Sequence, residues 1–418
     1  MTNRYRIWKT VFAGLSIAGL LTSCMAPPPP NHGTQKSPNI SRELAAGANK
    51  VISPYASAVS GSGEDYAMIA AQKVVKVALL LPLTGRNADL GRALQDAATV
   101  SLFDKYARLS LSSQTVRVEL LPKDTGDTPE QATQAMADAV ASGAEFVIGP
   151  LFADATAAAA PIARAKNINV LSFSNTRTQA SPGTYMFGFS PTEQTERVVS
   201  YAIQNGKSRI AVLAPNSALG DMVLAAARET AEKNGQKLFV EAKYTVQGAG
   251  IDTALNSMVT AGKQPQFDAI LIPEGGASLD TIMRGLSSRG VKPGNMKFLG
   301  TGLWDDADLL RRVNLDSAWF ASSSPILTSQ FENRFRTTYN YAPPRIASLA
   351  YDAVALAVTL ATSGRPYDAV NLTTPSGFSG PANGIFRLRA NGMVQRGLAV
   401  MEVHGGERKI ISRPPNGF

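Results

Sequence analysis

The chain of 418 residues is long enough for about two domains, and its hydrophobic fraction of 44% allows a sizeable core. One cysteine excludes an intramolecular disulfide framework, and two histidines argue against a histidine-based metal site or a Ser-His-Asp catalytic arrangement. The formal net charge is +9, but lysine and arginine are scattered without a long run, so a nucleic-acid-binding stripe is not indicated.

The first 23 residues have the pattern of a secretory signal peptide. A basic start, MTNRYRIWKT, precedes the apolar run VFAGLSIAGLL, which is too short to span about 30 Å of hydrocarbon as a helix. Small residues and the lone cysteine, Cys24, then follow. An uncut membrane-anchoring helix is the alternative, and the shortness of the apolar run disfavours it.

The site Leu21-Thr22-Ser23-Cys24 resembles the lipobox of bacterial lipoproteins. That resemblance implies cleavage before Cys24, a diacylglycerol on its thiol and acylation of the new amino terminus, which together make a durable membrane anchor. A chance cysteine behind an ordinary signal is the alternative. Met25 lies where an aspartate would retain enteric-type lipoproteins in the inner membrane. The resemblance therefore implies the periplasmic face of the outer membrane, with the inner membrane as the alternative.

Residues 24–72 are predicted to form a lipid-anchored, flexible tether. Four prolines follow the cysteine closely, and the remainder is rich in small and polar residues with few large apolar ones. Pro-rich chains are extended and stiff, whereas small polar segments behave as coil.

From Val74 onward the sequence alternates between strand and helix patterns. The apolar run VVKVALLLPLTG is typical of a buried strand, and LGRALQDAATVSLFDKY has apolar residues at helical spacing. Thr128-Pro129-Glu130-Gln131 has the form of a capping box that starts the next helix. The same alternation continues to about residue 325. It predicts an α/β fold of parallel sheets flanked by helices, in two similar blocks at about 74–190 and 191–325.

The tail departs from this alternation. Helices are predicted at about 328–340 and 346–362, and GIFRLRANGMVQRGLAVMEV predicts an antiparallel hairpin with its turn at Asn391-Gly392.

The globular part, from about Val74 to Ile411, resembles the type I periplasmic-binding-protein family, the leucine/isoleucine/valine-binding class. The segments VALLLPLTGRNADLGRALQDAA, FVIGPL, NVLSFSNT, AVLAPNSALGD and GFSGPANGIFRLRANGMVQRG carry the resemblance. ALLLPLTG followed by LGRAL is similar in particular to penicillin-binding-protein activator lipoproteins. The family implies a chain that crosses between two lobes, so the late helices should return to lobe 1 and the hairpin should complete lobe 2. The implied domains are 73–190 plus about 326–374 for lobe 1, and 191–325 plus about 375–413 for lobe 2.

Ligand-contacting residues are expected where the strands end, because open α/β sheets bind ligands beyond the carboxyl ends of their strands. The two lobes would present these ends to a shared cleft. The cleft candidates are Thr84, Phe152, Ala153, Asp154, Ser174, Asn175, Thr176, Leu219, Glu274, Trp304 and Asp305.

Amino-acid-binding relatives hold the ligand carboxylate with hydroxyl residues after the third and fourth strands and its ammonium with an acid in the second lobe. Here the fourth-strand loop keeps Ser174 and Thr176, whereas the third-strand loop has no hydroxyl before its helix. After the eighth strand the sequence is Gly300-Thr301-Gly302, and the acid Asp305 follows three residues later. The clamp is thus half present.

Several candidates also have a simpler interpretation. Ser174 and Thr176 could cap the local turn, Glu274 could be a solvated loop acid, and Trp304 could pack within a lobe. The acids from Asp305 to Asp308 lack the spacing of a calcium loop and are better explained as helix caps.

Two functions fit these features. One is an interaction protein that activates a bifunctional penicillin-binding protein, a peptidoglycan synthase, by direct contact. The other is a lipoprotein receptor for an ABC permease that binds an amino acid or short peptide in the cleft. No nucleophile-base pair, metal cluster or phosphate-binding loop is recognisable, so neither an enzyme nor a cofactor is expected.

Overall fold

The computed structural model describes residues 50–53, 69, 71–109, 115–245, 250–259 and 265–418. Ala48–Phe418 forms one compact unit. The signal peptide, Cys24 and most of the predicted tether lie outside the described residues. Among the residues that are described, no helix has the length and apolar character to cross a membrane.

The first sheet has five parallel strands in the order β2-β1-β3-β4-β5. The strand Lys73–Leu81, which lies between β2 and β3, carries apolar side chains on both faces, because Leu79 and Leu80 belong to separate cores on opposite sides of the sheet. This explains the continuous apolar run in the sequence. The strands are β1 (Lys73–Leu81), β2 (Val116–Asp124), β3 (Phe146–Ile148), β4 (Asn169–Ser172) and β5 (Thr184–Met186).

Three helices connect these strands: α1 (Ala88–Tyr106), α2 (Pro129–Ala141) and α3 (Ala153–Arg164). The predicted capping box of α2 is confirmed, since Thr128 Oγ1 accepts from Gln131 N–H and Gln131 Oε1 accepts from Thr128 N–H.

The second sheet has seven strands in the order β15-β14-β10-β9-β8-β6-β7. Strands β6 to β10 are parallel, whereas β14 is antiparallel to β10 and β15 is antiparallel to β14. The strands are β6 (Ile210–Pro215), β7 (Val240–Tyr244), β8 (Ala269–Leu271), β9 (Lys297–Gly300), β10 (Trp319–Ser322), β14 (Ala399–His404) and β15 (Glu407–Ser412). The accompanying helices are α4 (Pro191–Gln204), α5 (Ala218–Lys233), α6 (Gly250–Met258), α7 (Gly276–Ser288) and α8 (Ala307–Arg312).

After β10 the chain returns to the first sheet through α9 (Pro325–Tyr339), α10 (Ala347–Thr362) and the short α11 (Ala369–Leu372). Nearly every residue of α10 is buried, and its apolar side chains share one core with α1 and β1. This burial explains why α10 lacks a polar face in the sequence.

The hairpin around Asn391-Gly392 is present, but it does not join the second sheet as expected. Its strands, β12 (Gly384–Leu388) and β13 (Val394–Arg396), pair with β11 (Phe378–Gly380) in a separate three-stranded sheet. Phe386 and Val394 belong to the core of the first sheet. The strands that complete the second sheet are β14 and β15. An alternating pattern shows which face of a strand is buried but not which strand is its partner, and this explains the error.

Candidate functional site

The loop after β1 is organised by Asp124, which is not among the predicted cleft residues. Thr84 is exposed, and its hydroxyl donates to Asp124 Oδ2 at 2.5 Å. The N–H groups of Leu83, Thr84 and Gly126 donate to Asp124 Oδ1. Burial opposes ionisation, but these hydrogen bonds outweigh it and hold the pKa of Asp124 below its usual range. Thr84 therefore supports this loop as well as facing solvent.

The loop after β3 presents an apolar side chain to solvent. Phe152 is 40% exposed and occupies the N-cap position of α3 without a side-chain cap. Ala153 is half-buried, and Asp154 is exposed in the first turn of α3. The loop after β3 thus presents an exposed aromatic ring and an exposed acid, and it offers no hydroxyl group to a ligand carboxylate.

The Ser174 hydroxyl after β4 is bonded within its own turn, and Thr176 beside it is half-buried. Ser174 is 6% exposed, and its Oγ accepts from Thr176 N–H at 3.1 Å. Asn175 donates from Nδ2 to the carbonyl of Phe189 at 3.2 Å. Ser172 is buried and donates to Pro150 O while accepting from Ser174 N–H. The turn-capping interpretation of Ser174 therefore describes the contacts that are formed.

On the second sheet, Leu219 is half-buried and packs against the core beside β6. It lies in the first turn of α5, which Ser217 caps by accepting from Gly220 N–H. Leu219 therefore contributes packing to this lobe.

Glu274 and Trp304 form one cluster with Tyr244. The Tyr244 hydroxyl donates to Glu274 Oε1 at 2.5 Å, and Trp304 Nε1 donates to the carbonyl of Glu274 at 2.8 Å. Burial and the neighbouring carboxylate raise the pKa of Tyr244 above its usual range. Trp304 is fully buried and packs directly on Gly300, where a β-carbon would collide with the indole. Trp304 is thus a core residue, while Glu274 remains half-buried at the end of its strand.

Asp305 is held by a network that the sequence analysis missed. Its side chain is 4% exposed, and Oδ1 lies 2.7 Å from Nη1 of Arg408 on β15. Oδ2 accepts from the Ser322 hydroxyl at 2.6 Å and lies 4.0 Å from Arg345 Nη2. The positive charges of Arg408 and Arg345 therefore compensate the carboxylate of Asp305, although Oδ1 forms an ion pair without a well-aligned hydrogen bond among the described residues.

Arg345 connects the end of the second sheet with the helices that return to the first. It donates to the carbonyl of Gly302 and, from Nη2, to Ser322 Oγ at 2.8 Å. Its guanidinium lies 4.5 Å from the centroid of the Phe189 ring. The N–H group of Gly302 in turn donates to Gln194 Oε1 at 3.0 Å. No motif marks Arg345, because its partners are distant in sequence.

Two cavities lie away from the predicted cleft residues. The first, of about 580 Å³, lies between the start of α4 and the β12–β13 hairpin. The second, of about 700 Å³, lies between α7 and the segment after α8. None of the eleven predicted cleft residues lines either cavity. The described part of the chain holds no cluster of three or more His, Cys, Asp or Glu side chains suited to a metal ion.

These features define a class: an α/β binding-protein body with two mainly parallel sheets, whose strand ends carry the candidate ligand groups. The model of the periplasmic binding protein family matches residues 74–407, and the chain belongs to that family.

Two relatives match part of the chain. An uncharacterized protein, RP748, of Rickettsia prowazekii is 25% identical over 142 residues, or 34% of this chain and 36% of its own. The penicillin-binding protein activator LpoA of Photobacterium profundum is 32% identical over 155 residues, or 37% of this chain and 24% of its own. The matches thus span about a third and a quarter of these relatives.

Solved structures show the same fold at low identity. A putative branched-chain amino acid ABC transporter protein from Rhodospirillum rubrum has a TM-score of 0.70 at 19% identity, covering 81% of this chain and 100% of its own. A leucine-binding protein from Thermotoga maritima has a TM-score of 0.57 at 19% identity, covering 82% and 99%. A solute-binding protein from Rhodopseudomonas palustris, solved with 3,4-dihydroxybenzoic acid, has a TM-score of 0.58 at 20% identity, covering 82% and 97%.

Proposed function

We propose that this protein is a non-enzymatic lipoprotein that activates a peptidoglycan synthase, a bifunctional penicillin-binding protein, by protein–protein contact. In this proposal Cys24 carries the lipid, and the body acts from the periplasmic face of the outer membrane. The observation that carries the proposal is the state of Asp305, whose carboxylate is paired with Arg408 and flanked by Arg345. The partial match to a penicillin-binding protein activator supports it.

The argument from Asp305 is energetic. An amino-acid ligand that used this carboxylate for its ammonium would have to displace Arg408 or share the acid with it. Removing one partner of a buried ion pair costs about 3–5 kcal/mol, because the other charge is left uncompensated. Ser174 and Trp304 are likewise committed to internal contacts. Two of the groups predicted to clamp an amino acid, Ser174 and Asp305, thus serve the fold, which favours contact through the outer surface.

The test uses the full-length protein in detergent with a purified bifunctional synthase. Complex formation and a faster rate of glycan polymerisation are the expected results. Absence of both, with a synthase that is active alone, would overturn the proposal. Free amino acids added at millimolar concentration should leave the stimulation unchanged.

A second candidate function is a substrate-binding lipoprotein for an ABC importer of amino acids or short peptides. Glu274 favours it, because this half-buried acid lies at a strand end near Leu303, which is 47% exposed. The fold shared with ABC-transporter solute-binding proteins is compatible with it.

A thermal-shift screen of amino acids and short peptides tests this second function. A ligand at 100 times its Kd adds about 2.7 kcal/mol to the free energy of unfolding. Glu274→Gln should abolish that gain, whereas Asp306→Asn, which changes an exposed acid, should preserve it. No stabilisation across the panel would refute the receptor function.

A further inference from the structure

The cavity beside α4 is separate from the strand ends considered above. It is open to solvent, has a volume of about 580 Å³ and is lined by the first turns of α4, the β12–β13 hairpin and the C-terminal segment near Arg413. Sites for small molecules in proteins commonly have volumes of about 300–1,000 Å³. The cavity is therefore of a size that accommodates a small ligand.

The lining of this cavity is strongly basic. Five arginines contribute to it: Arg177, Arg197, Arg389, Arg396 and Arg413. Two glutamates oppose them, so the lining carries a net charge of +3 when both are ionised. Concave sites lined by one sign of charge concentrate ligands of the opposite sign.

The two glutamates, Glu193 and Glu196, reduce the positive charge of the cavity lining less than their number implies. Burial raises the pKa of Glu193 to about 8, despite the opposing charge of Arg396. Burial also raises the pKa of Glu196 above its usual range. Near neutral pH Glu193 is therefore largely protonated, and the lining is more positive than the formal count.

Arg396 supplies an independent observation. It is 6% exposed, and Nη2 donates to the carbonyl of Phe187 at 2.6 Å. Its Nε and Nη1 atoms are buried and have no hydrogen-bond partner among the described residues. Buried polar groups are almost always hydrogen-bonded, so these two N–H groups make Arg396 an exception. Arg396 therefore places a buried positive charge directly behind the cavity lining.

The guanidinium of Arg396 is also held in place. It lies 4.3 Å from the ring centroid of Phe187 and 5.7 Å from that of Phe386. Arg197 is fixed in a similar way, since Nε donates to Leu398 O and Nη2 to Ser412 Oγ. Arginine groups fixed in this way lose little conformational entropy when they bind an anion.

We propose that this cavity binds a small, multiply charged oxyanion, with Arg197 as the fixed contact, Arg389 and Arg413 at the exposed rim, and Arg396 as a buried positive charge behind the lining. Carboxylate and phosphate groups share the planar or forked acceptor geometry that arginine recognises. This site is independent of the proposed action on a synthase.

The test is calorimetric titration of the full-length protein in detergent with citrate and, separately, with pyrophosphate, at constant ionic strength. Acetate is the singly charged control. The rim variant Arg389→Gln/Arg413→Gln is compared with Arg336→Gln, which removes the charge of an exposed arginine on α9. Each lost rim arginine should raise the Kd about tenfold, the size of one charge-assisted hydrogen bond. Glu196→Gln should lower the Kd.

The titrations distinguish a specific anion site from its absence. Binding of citrate or pyrophosphate that is weakened in the rim variant and unchanged in Arg336→Gln supports the site. A preference for one probe assigns the anion to the carboxylate or the phosphate class. The proposal is overturned if the rim variant and the wild type bind the probe with equal affinity. It is also overturned if neither probe binds at about 10 mM, which is ten times a Kd of about 1 mM. Equal thermal midpoints for the variants show that the fold is retained.

Discussion

Asp305→Asn tests whether the acid at the end of the second sheet maintains the fold or binds a ligand. The carboxylate is 4% exposed, lies 2.7 Å from Arg408 Nη1 and accepts from Ser322 Oγ at 2.6 Å. An asparagine keeps the acceptor oxygen for Ser322 but removes the negative charge that compensates Arg408 and Arg345. Loss of one partner from a buried ion pair costs about 3–5 kcal/mol, and the retained oxygen favours the lower end, about 3 kcal/mol.

The assay for Asp305→Asn is thermal unfolding followed by circular dichroism, without added ligand. For a large domain about 1 kcal/mol corresponds to about 2 °C, so the midpoint should fall by about 6 °C. Asp306→Asn is the matched control. Asp306 is exposed and caps α8 by accepting from Leu309 N–H at 2.9 Å, and asparagine caps helices as well as aspartate. Its midpoint should be unchanged. If Asp305→Asn behaves like this control, the structural role assigned to Asp305 is wrong.

Three further predictions concern nearby residues. Gly302→Ala should destabilise the protein by about 1–3 kcal/mol, because the new β-carbon would lie 2.7 Å from Arg345 Nη2. Gly275→Ala, with its nearest neighbour at 3.5 Å, should be tolerated in the same denaturation assay. Trp304→Phe should cost about 2 kcal/mol through the lost bond to Glu274 O and the smaller ring, and a wild-type midpoint would contradict the burial argument. Glu193→Gln should flatten the pH profile of stability. The folded protein binds this proton more tightly than the unfolded chain, so the wild-type contribution is complete below about pH 4.5 and is lost as pH rises through about 8. If the free energy of unfolding changes with pH equally in the wild type and the variant over that range, the raised pKa assigned to Glu193 is wrong.

Much of the α/β fold was predictable because it follows from local periodicity. The buried runs of β1 and β6 and the capping box at Thr128 specify their elements within a few residues. Four strands were not predicted from the sequence: β5, β10, β11 and β15. The helix α9 begins at Pro325, earlier than predicted, because proline is well suited to the first helical position.

The candidate site was less predictable. The sequence indicated the loops at the strand ends, and Glu274 and Asp305 do lie there. It could not show that Arg408 on β15 pairs with Asp305, because the two residues are more than a hundred positions apart. The same holds for Arg396, whose backbone N–H donates to Glu193 Oε1 at 3.2 Å across 203 positions.

The sequence alone determined the class of fold and the succession of most strands and helices along the chain. Both depend on apolar periodicity and helix capping within short windows. Tertiary structure alone decided which polar residues remain available to a ligand. Whether a carboxylate such as Asp305 is free or compensated depends on charges brought beside it by distant strands, and no local pattern records those contacts. The placement of the Asn391-Gly392 hairpin was decided in the same way, because a strand's partner is fixed by long-range packing and not by its own alternation.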